Sequence, residues 1–398
     1  MRTLVLDNGS FAIKSGYVDS TAAARTIPNT VARTRRTKRV LVGDTIDRAT
    51  DLSGLYYRSP FERGHLVHWD AELAVWDRIL GPECLDCQPT ETNLVLTEPV
   101  FNFAQLQRTA DEIVFEEYGF ASLLRGPAPR FSVGNAGDLI YGDGRGEPEC
   151  VLVVDAGHAF TYAVPYQGQK QIDAGVRRVD VGGRMLTNYL KEMVSFRYWD
   201  MMDETYIMNA VKEQCCFVSS DFGRDLEATR AGRSLGLEYV LPDFSVSRKG
   251  FIRGQGGQAE LAMDKGTQQV LPLGNERFAV PEALFHPPDV GLAGQGGIHH
   301  AVSQAVLACP EDLRAPLLAN IVLVGGSANL PGLRQRLEAE VQALAPHPVR
   351  VFSPDAPQTW AWDGACSIAS LDKAYGLTKT QYQEMGADRT IAHFEAFA

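Results

Sequence analysis

The feature that most constrains the fold is a short motif that occurs twice in the chain. Residues 5–9 read Val-Leu-Asp-Asn-Gly, and residues 153–157 read Val-Val-Asp-Ala-Gly. Each copy closes an apolar strand pattern with Asp-x-Gly, and a return strand follows. A third apolar run, Ile321–Val324, ends in Gly325-Gly326. The repeat predicts two similar α/β halves whose strand ends face a shared cleft.

These turns have the residues that a nucleotide clamp needs. Glycine turns let backbone N–H groups approach a phosphate closely. Magnesium takes few protein ligands, so Asp7 and Asp155, one from each half, are expected to hold it through water. A lone Asp-Asn-Gly turn indicates only a hairpin, and the ordered set of turns is what favours binding. The predicted binding residues from these turns are Asp7, Asn8, Gly9, Ser10, Lys14, Asp155, Gly157, Gly325, Gly326 and Ser327.

Lys14 and Ser10 are predicted to reach phosphate oxygens from the first hairpin. The turn at residues 325–327 is predicted to lie against the base or the ribose, because its glycines allow a flat group to pack on the backbone.

Composition narrows the classes of partner. The formal net charge is −11, so we do not expect nucleic acid to bind across the whole surface. A local contact with nucleosomal DNA remains an alternative for the basic run at 33–39, which otherwise predicts a solvated loop.

The seven cysteines are odd in number and scattered, which predicts reduced thiols inside the cell. Cys84 and Cys87 lack a second pair, so no zinc site is expected. No membrane segment is predicted.

Three further segments carry predictions. Trp69, Leu73 and Trp76 fall at helical spacing and predict a helix against the core. Residues 126–149 are rich in Gly and Pro and predict a connection between domains. Residues 230–266 are either a partner-binding insert or a surface loop.

Strings along nearly the whole chain resemble the actin superfamily. They lie at residues 6–10, 154–157, 275–285, 320–326 and 378–382. The resemblance implies an α/β, actin-like ATPase fold with two similar domains, or four subdomains, around a nucleotide cleft. Domain I would take 1–149 plus 360–398, with a shortened loop in subdomain 2, and domain II would take 150–359.

Further strings resemble the nuclear actin-related protein 6 subfamily. They lie at residues 97–103, 115–118, 202–205 and 239–244. Members of that subfamily are subunits of SWR-class chromatin remodellers, which exchange a histone variant into nucleosomes. The resemblance implies a nuclear location, with the cytoplasm as an additional one. It also implies a zinc-HIT protein and the remodeller ATPase as partners.

The departures from actin bear on catalysis. Phe11 replaces a glycine, His158-Ala159 replaces Asp-Gly, and Ala128 stands near the position of the glutamine that orients the attacking water. Phosphoryl transfer depends on such positioning, so hydrolysis is expected to be slow or absent. His158 lies where phosphate is expected, and its protonation would favour an anion there.

At the adenosine end, Lys212 matches an actin contact, whereas Tyr206 and Asn209 replace two charged partners. Residues 39–51 are too few for the loop that actins insert into a neighbouring subunit, so no homo-filament is expected.

The resulting hypothesis is a non-catalytic scaffold subunit that keeps ATP or ADP with magnesium for structural reasons. The alternative is an active cytoskeletal-type ATPase or filament nucleator, with a sugar kinase of the same fold a more distant third.

Overall fold

The computed structural model describes residues 1–34, 38–48, 55–142, 146–232, 236–244, 246–257, 266, 268–371 and 376–395. The first half contains the strands β1 (Arg2–Asn8), β2 (Ala12–Tyr17), β3 (Arg25–Pro28), β4 (Val31–Thr34), β5 (Val40–Val42), β6 (Leu55–Arg58), β7 (Phe61–Glu62), β8 (His65–Leu66), β9 (Thr92–Glu98) and β10 (Ser122–Pro127). The second half contains β11 (Cys150–Ala156), β12 (Thr161–Gln167), β13 (Lys170–Gln171), β14 (Arg177–Val179), β15 (Leu237–Val240), β16 (Phe251–Ile252), β17 (Val270–Leu273), β18 (Ile321–Val324), β19 (Val351–Phe352) and β20 (Leu377–Thr378).

The helices begin after the first eight strands and lie between and after the remaining ones. In chain order they are α1 (Trp69–Leu80), α2 (Ala104–Glu112), α3 (Ala128–Ser132), α4 (Ala136–Tyr141), α5 (Gly183–Arg197), α6 (Thr205–Cys215), α7 (Phe222–Arg230), α8 (Glu276–Glu282), α9 (Ile298–Leu307), α10 (Glu311–Ala319), α11 (Leu333–Leu344), α12 (Trp360–Leu371), α13 (Lys379–Met385) and α14 (Ala387–Glu395).

The first sheet is built around the hairpin β1–β2. Its strand order is β20-β10-β9-β1-β2-β3, with β1, β9 and β10 parallel and β2 antiparallel to β1. Leu4 and Leu6 point into one apolar cluster and Val5 into another, so β1 is covered on both faces. This burial explains why β1 reads as a continuous apolar run.

The second sheet repeats this arrangement. Its order is β13-β12-β11-β18-β19, with β11, β18 and β19 parallel and β12 antiparallel to β11. The repeated sequence motif therefore corresponds to a repeated topology. Each sheet places an antiparallel hairpin beside parallel strands, and each hairpin carries an Asp-x-Gly turn. The two sheets and the helices that follow their strands agree with the predicted α/β class of two similar halves, while the domain boundaries at 149 and 359 stay predictions.

The segment 126–149, predicted as a connection between domains, begins at the end of β10 in the first sheet, contains two helices and ends just before β11 in the second sheet. Residues 122–127 form β10, and α3 and α4 follow it. Phe131 of α3 is fully buried. Proline is tolerated in the first turn of a helix, so Pro129 does not interrupt α3. Glycine serves here for close helix packing, because a Cβ on Gly364 of α12 would lie 2.0 Å from Phe131 O.

Some predictions fall partly outside the described residues. The basic run at 33–39, the short segment at 39–51 and the segment at 230–266 each include positions that the structure does not describe. Trp76 is fully buried in the described part of α1, as its helical spacing predicts. Among the described residues, no helix has the length and apolar character to span a membrane.

Candidate nucleotide cleft

A cavity of about 500 Å³ opens where the ends of β1 and β11 face each other. Every residue predicted for binding lines this cavity: Asp7, Asn8, Gly9, Ser10, Lys14, Asp155, Gly157, His158, Lys212, Gly325, Gly326 and Ser327. The fold thus brings together turns that are more than 300 residues apart along the chain. What each residue does toward a nucleotide stays a prediction.

Asp7 is held in place from both sides. Lys14 Nζ lies 2.9 Å from Asp7 Oδ2, and Thr97 Oγ1 donates a hydrogen bond of 2.8 Å to Asp7 Oδ1. Thr97 Oγ1 also accepts from Asn8 N at 2.8 Å. Thr97 is a site residue that was not predicted from the sequence. Its signal was its place at the end of a strand parallel to β1, since the carboxyl ends of parallel strands meet at one sheet edge.

Asp155 faces Asp7 across the cavity. Burial raises the pKa of Asp155 to about 6, the nearby charge of Asp7 adds to the rise, and Lys14 opposes it. Gly325 approaches so closely that a Cβ there would lie 2.6 Å from Asp155 Oδ1. Two opposed carboxylates with so little space around them form a donor set that suits a hard divalent cation.

The second turn is fixed by the start of α5. Gly183 N donates to Gly157 O at 3.0 Å, and Arg184 N donates to His158 O at 2.8 Å. Ser327 Oγ donates to Gly157 O at 3.4 Å, so the third turn packs against the second. Its predicted contact with base or ribose stays a prediction.

The effect of His158 on an anion depends on its protonation, and its role toward a phosphate stays a prediction. Burial lowers the pKa of His158 to about 3, and the charges of Lys212 and Arg184 lower it further. The imidazole is therefore neutral at physiological pH. The buried cation on this side is Lys212, whose Nζ donates to Asn209 Oδ1 at 2.8 Å and to Thr187 Oγ1 at 3.1 Å.

Two of the departures from the actin pattern, Phe11 and His158, contact each other in the cleft. The rings of Phe11 and His158 lie with centroids 5.0 Å apart, so the first turn contacts the second through side chains. Ala128, the first residue of α3, also lines the cavity. Its methyl group can neither donate to nor accept from a water molecule.

The outer end of the cleft carries a contact that the sequence analysis did not predict. Tyr206 OH donates a hydrogen bond of 2.6 Å to Asp47 Oδ1. Tyr206 also packs against an apolar cluster that includes Ala32 and Ile46. Of the two residues that replace charged partners in actin, only Asn209 therefore lines the cavity. Tyr206 joins α6 to the small sheet around β4.

Comparisons with known proteins agree on one family. A family model described as Actin matches residues 1–394, which confirms the predicted actin-like fold class. Actin-like protein ARP6 of Cryptococcus neoformans is 40% identical over 99% of this chain and 84% of its own length. Actin-related protein 6 of Neurospora crassa is 38% identical over 99% of this chain and 94% of its own. Actin-related protein 6 of Drosophila melanogaster is 36% identical over 96% of this chain and 97% of its own.

Proposed function

The chain belongs to the actin family, beside relatives named actin-related protein 6, and on that premise we propose that it is a non-catalytic scaffold subunit of a nuclear chromatin-remodelling complex. In this proposal the complex is of the SWR class and exchanges a histone variant into nucleosomes. A zinc-HIT protein and the remodeller ATPase are the partners. The protein is nuclear, with the cytoplasm as an additional location.

The proposal includes a bound ATP or ADP with magnesium. Actin-fold proteins generally bind this ligand, and the residues present here fit it. Asp7 and Asp155 would hold the cation, whose positive charge would relieve the repulsion that raises the pKa of Asp155. Backbone N–H groups of the two glycine turns, together with Lys14, would receive the phosphates, and Lys212 would contact the adenosine end. The bound ligand would stabilise the protein, because it binds the folded state and not the unfolded chain.

The contact between Phe11 and His158 is the observation that carries the non-catalytic part of the proposal. Hydrolysis needs a water molecule held in line with the terminal phosphate. Here the two rings meet between the turns at residues 7–9 and 155–157, called the first and second phosphate turns. The His158 imidazole is neutral, and Ala128 offers no polar group to orient water. Binding residues are retained while positioning residues are lost, which favours a structural ligand.

An exposed aromatic surface supports membership of an assembly. It follows the end of α5, where Phe196 is 91% exposed and Trp199 is 50% exposed. Tyr198 and Met202 are also exposed in the same segment. Clusters of exposed large apolar side chains mark protein interfaces more often than free surface. We propose that another subunit of the complex covers them.

Steady-state phosphate release from the purified protein tests the absence of catalysis, with Asp155→Ala as a control for contaminating ATPases. We expect release at the level of that control. A triple variant, Phe11→Gly, His158→Asp and Ala128→Gln, restores actin-like residues and should raise release above the wild type. Sustained wild-type turnover of about one per minute or faster would exclude a scaffold role and favour the cytoskeletal-type ATPase, because that rate needs a positioned water.

Affinity capture from nuclear extract, followed by mass spectrometry, tests the assembly. We expect remodeller subunits, including a zinc-HIT protein, with the wild type. A Phe196→Asp/Trp199→Asp variant should lose them while keeping its melting temperature. Capture of actin-filament factors without remodeller subunits would contradict the proposal.

A further inference from the structure

A buried carboxylic acid lies beneath the first phosphate turn and has no part in the function proposed above. Glu72 belongs to α1 and its side chain is fully buried. Carboxylates are rarely buried unless they are paired with a cation. Within the part of the chain that the structure describes, no Lys, Arg or His forms an ion pair with Glu72. Its burial therefore needs another explanation.

The partners of Glu72 are residues that shape the turn. Trp76 Nε1 donates to Glu72 Oε1 at 3.1 Å and to Asn8 Oδ1 at 3.3 Å. Asn29, which is 1% exposed, donates from Nδ2 to Gly9 O at 3.2 Å. The side-chain amides of Asn8 and Asn29 also act on the Glu72 carboxyl. Glu72 thus lies where α1, Asn8 and Asn29 meet below Gly9.

Two buried acceptors in this cluster lack a donor among the described residues. They are Glu72 Oε2 and Asn29 Oδ1. Each unsatisfied buried acceptor costs about 1–3 kcal/mol. A proton on Glu72 Oε2 changes it from an acceptor into a donor, and Asn29 Oδ1 is the acceptor that needs one. A single proton shared between these two atoms would satisfy both of them.

We propose that Glu72 is a positioning residue for the first phosphate turn: as a neutral acid it ties α1 to Asn29 and Asn8, and its ionisation weakens nucleotide binding. This inference rests on the proposed nucleotide binding. It assigns to the cleft a dependence on pH that originates outside the cavity, because Glu72 does not line it.

The surrounding charges agree with a neutral Glu72. Burial raises the pKa of Glu72 to about 7, against the lowering effects of the nearby Asn8 and Asn29 amides and of the hydrogen bond from Trp76. From β1, the charge of Asp7 is offset by Lys14 of β2, 2.9 Å away. The Tyr118 hydroxyl, beyond α2, donates to Asp77 of α1 at 2.8 Å. Burial raises the pKa of Tyr118, which keeps it uncharged.

The sign of the pH effect follows from these values. An unfolded Glu titrates near 4.5, and the folded Glu72 near 7. Between these values the folded protein keeps a proton that the unfolded chain has lost, so stability falls as pH rises. Above about pH 7 both states are ionised and this slope ends.

The first experiment compares nucleotide-free wild type with Glu72→Gln, whose amide supplies the same donor at every pH. Denaturant unfolding is measured from pH 5 to pH 8. We expect the wild type to lose stability relative to the variant as pH rises to 7, by about tenfold or more in the unfolding equilibrium constant. Parallel stability curves would contradict a neutral Glu72.

The second experiment measures the dissociation constant of ADP with magnesium at pH 6 and pH 8, by calorimetry. We expect wild-type affinity to fall about tenfold relative to Glu72→Gln, which corresponds to a shift of one pKa unit on binding. Titration of the ADP phosphates is common to both proteins and cancels in the comparison. Glu276→Gln is the matched control, because Glu276 is also fully buried but pairs with Arg197 at 3.0 Å.

The outcomes separate the two proposals. If neither protein binds ADP at any pH, the proposed nucleotide binding fails, and the positioning role fails with it. If both bind with parallel pH profiles, only the role of Glu72 is contradicted. Recovery of tight binding at pH 8 by Glu72→Gln, but not by Glu276→Gln, would support it.

Discussion

At the scale of single residues, Gly325 shows how tightly the cleft is built. Its φ is +91° with ψ 165°, a conformation that is almost restricted to glycine, and a Cβ would meet Asp155 Oδ1 at 2.6 Å. We expect Gly325→Ala to lower the free energy of unfolding by about 2 kcal/mol or more. Gly326→Ala is the control, because nothing lies within 4 Å of its added Cβ. Equal effects in chemical denaturation would contradict this reading.

Asp155 predicts a conflict between stability and binding. Burial and the nearby charge of Asp7 raise the pKa of Asp155 to about 6. At pH 7 the Asp155 carboxylate is therefore mostly ionised, and its charge destabilises the ligand-free protein. We expect Asp155→Asn to raise the ligand-free melting temperature and to abolish the increase that ADP with magnesium gives the wild type. Asp7→Asn should lower the melting temperature, because it leaves Lys14 without its partner. A thermal shift assay distinguishes these outcomes.

Site residues that stand in turns were easier to predict from the sequence than site residues that pack against those turns. Asp7, Asp155 and Gly325 stand in strand–turn patterns that carry a local signal. Thr97 and Glu72 carry none, because their importance arises from strand pairing and helix packing between distant segments.

At the scale of elements, the same distinction explains why composition did not predict the helices within 126–149. Gly and Pro usually indicate a loop, but Pro129 stands in the first turn of α3, and Gly364 of α12 allows the two helices to approach closely. We expect Gly364→Ala to cost about 3 kcal/mol, because its Cβ would overlap the backbone at Phe131. Gly223→Ala, in α7, should change stability by less than about 1 kcal/mol, because its Cβ would meet only Asp221 Oδ1, at an ordinary contact distance of 3.7 Å. Urea unfolding of both variants checks this.

The strands were predictable because β1, β11 and β18 are covered on both faces and read as unbroken apolar runs. How the two sheets face each other was not readable from periodicity. That arrangement entered only through resemblance to a known family.

At the scale of the whole molecule, the cleft is bridged at two levels. Phe11 meets His158 between the phosphate turns, and Tyr206 bonds to Asp47 at the outer end. We expect Tyr206→Phe to speed the release of a fluorescent ADP analogue about twofold to tenfold, since one hydrogen bond contributes about 0.5–1.5 kcal/mol. An unchanged rate in stopped-flow displacement would show that the outer bridge does not hold the ligand.

The contact between Phe11 and His158 has a consequence for timing. When a nucleotide-binding subunit hydrolyses its ligand, each turnover marks how long that subunit has been in place. When the two halves of the cleft touch through side chains and the ligand is not hydrolysed, no such interval is marked. On the proposed function, the age of a complex would then be set by the synthesis and degradation of this chain, and old and new copies would be chemically indistinguishable to their partners.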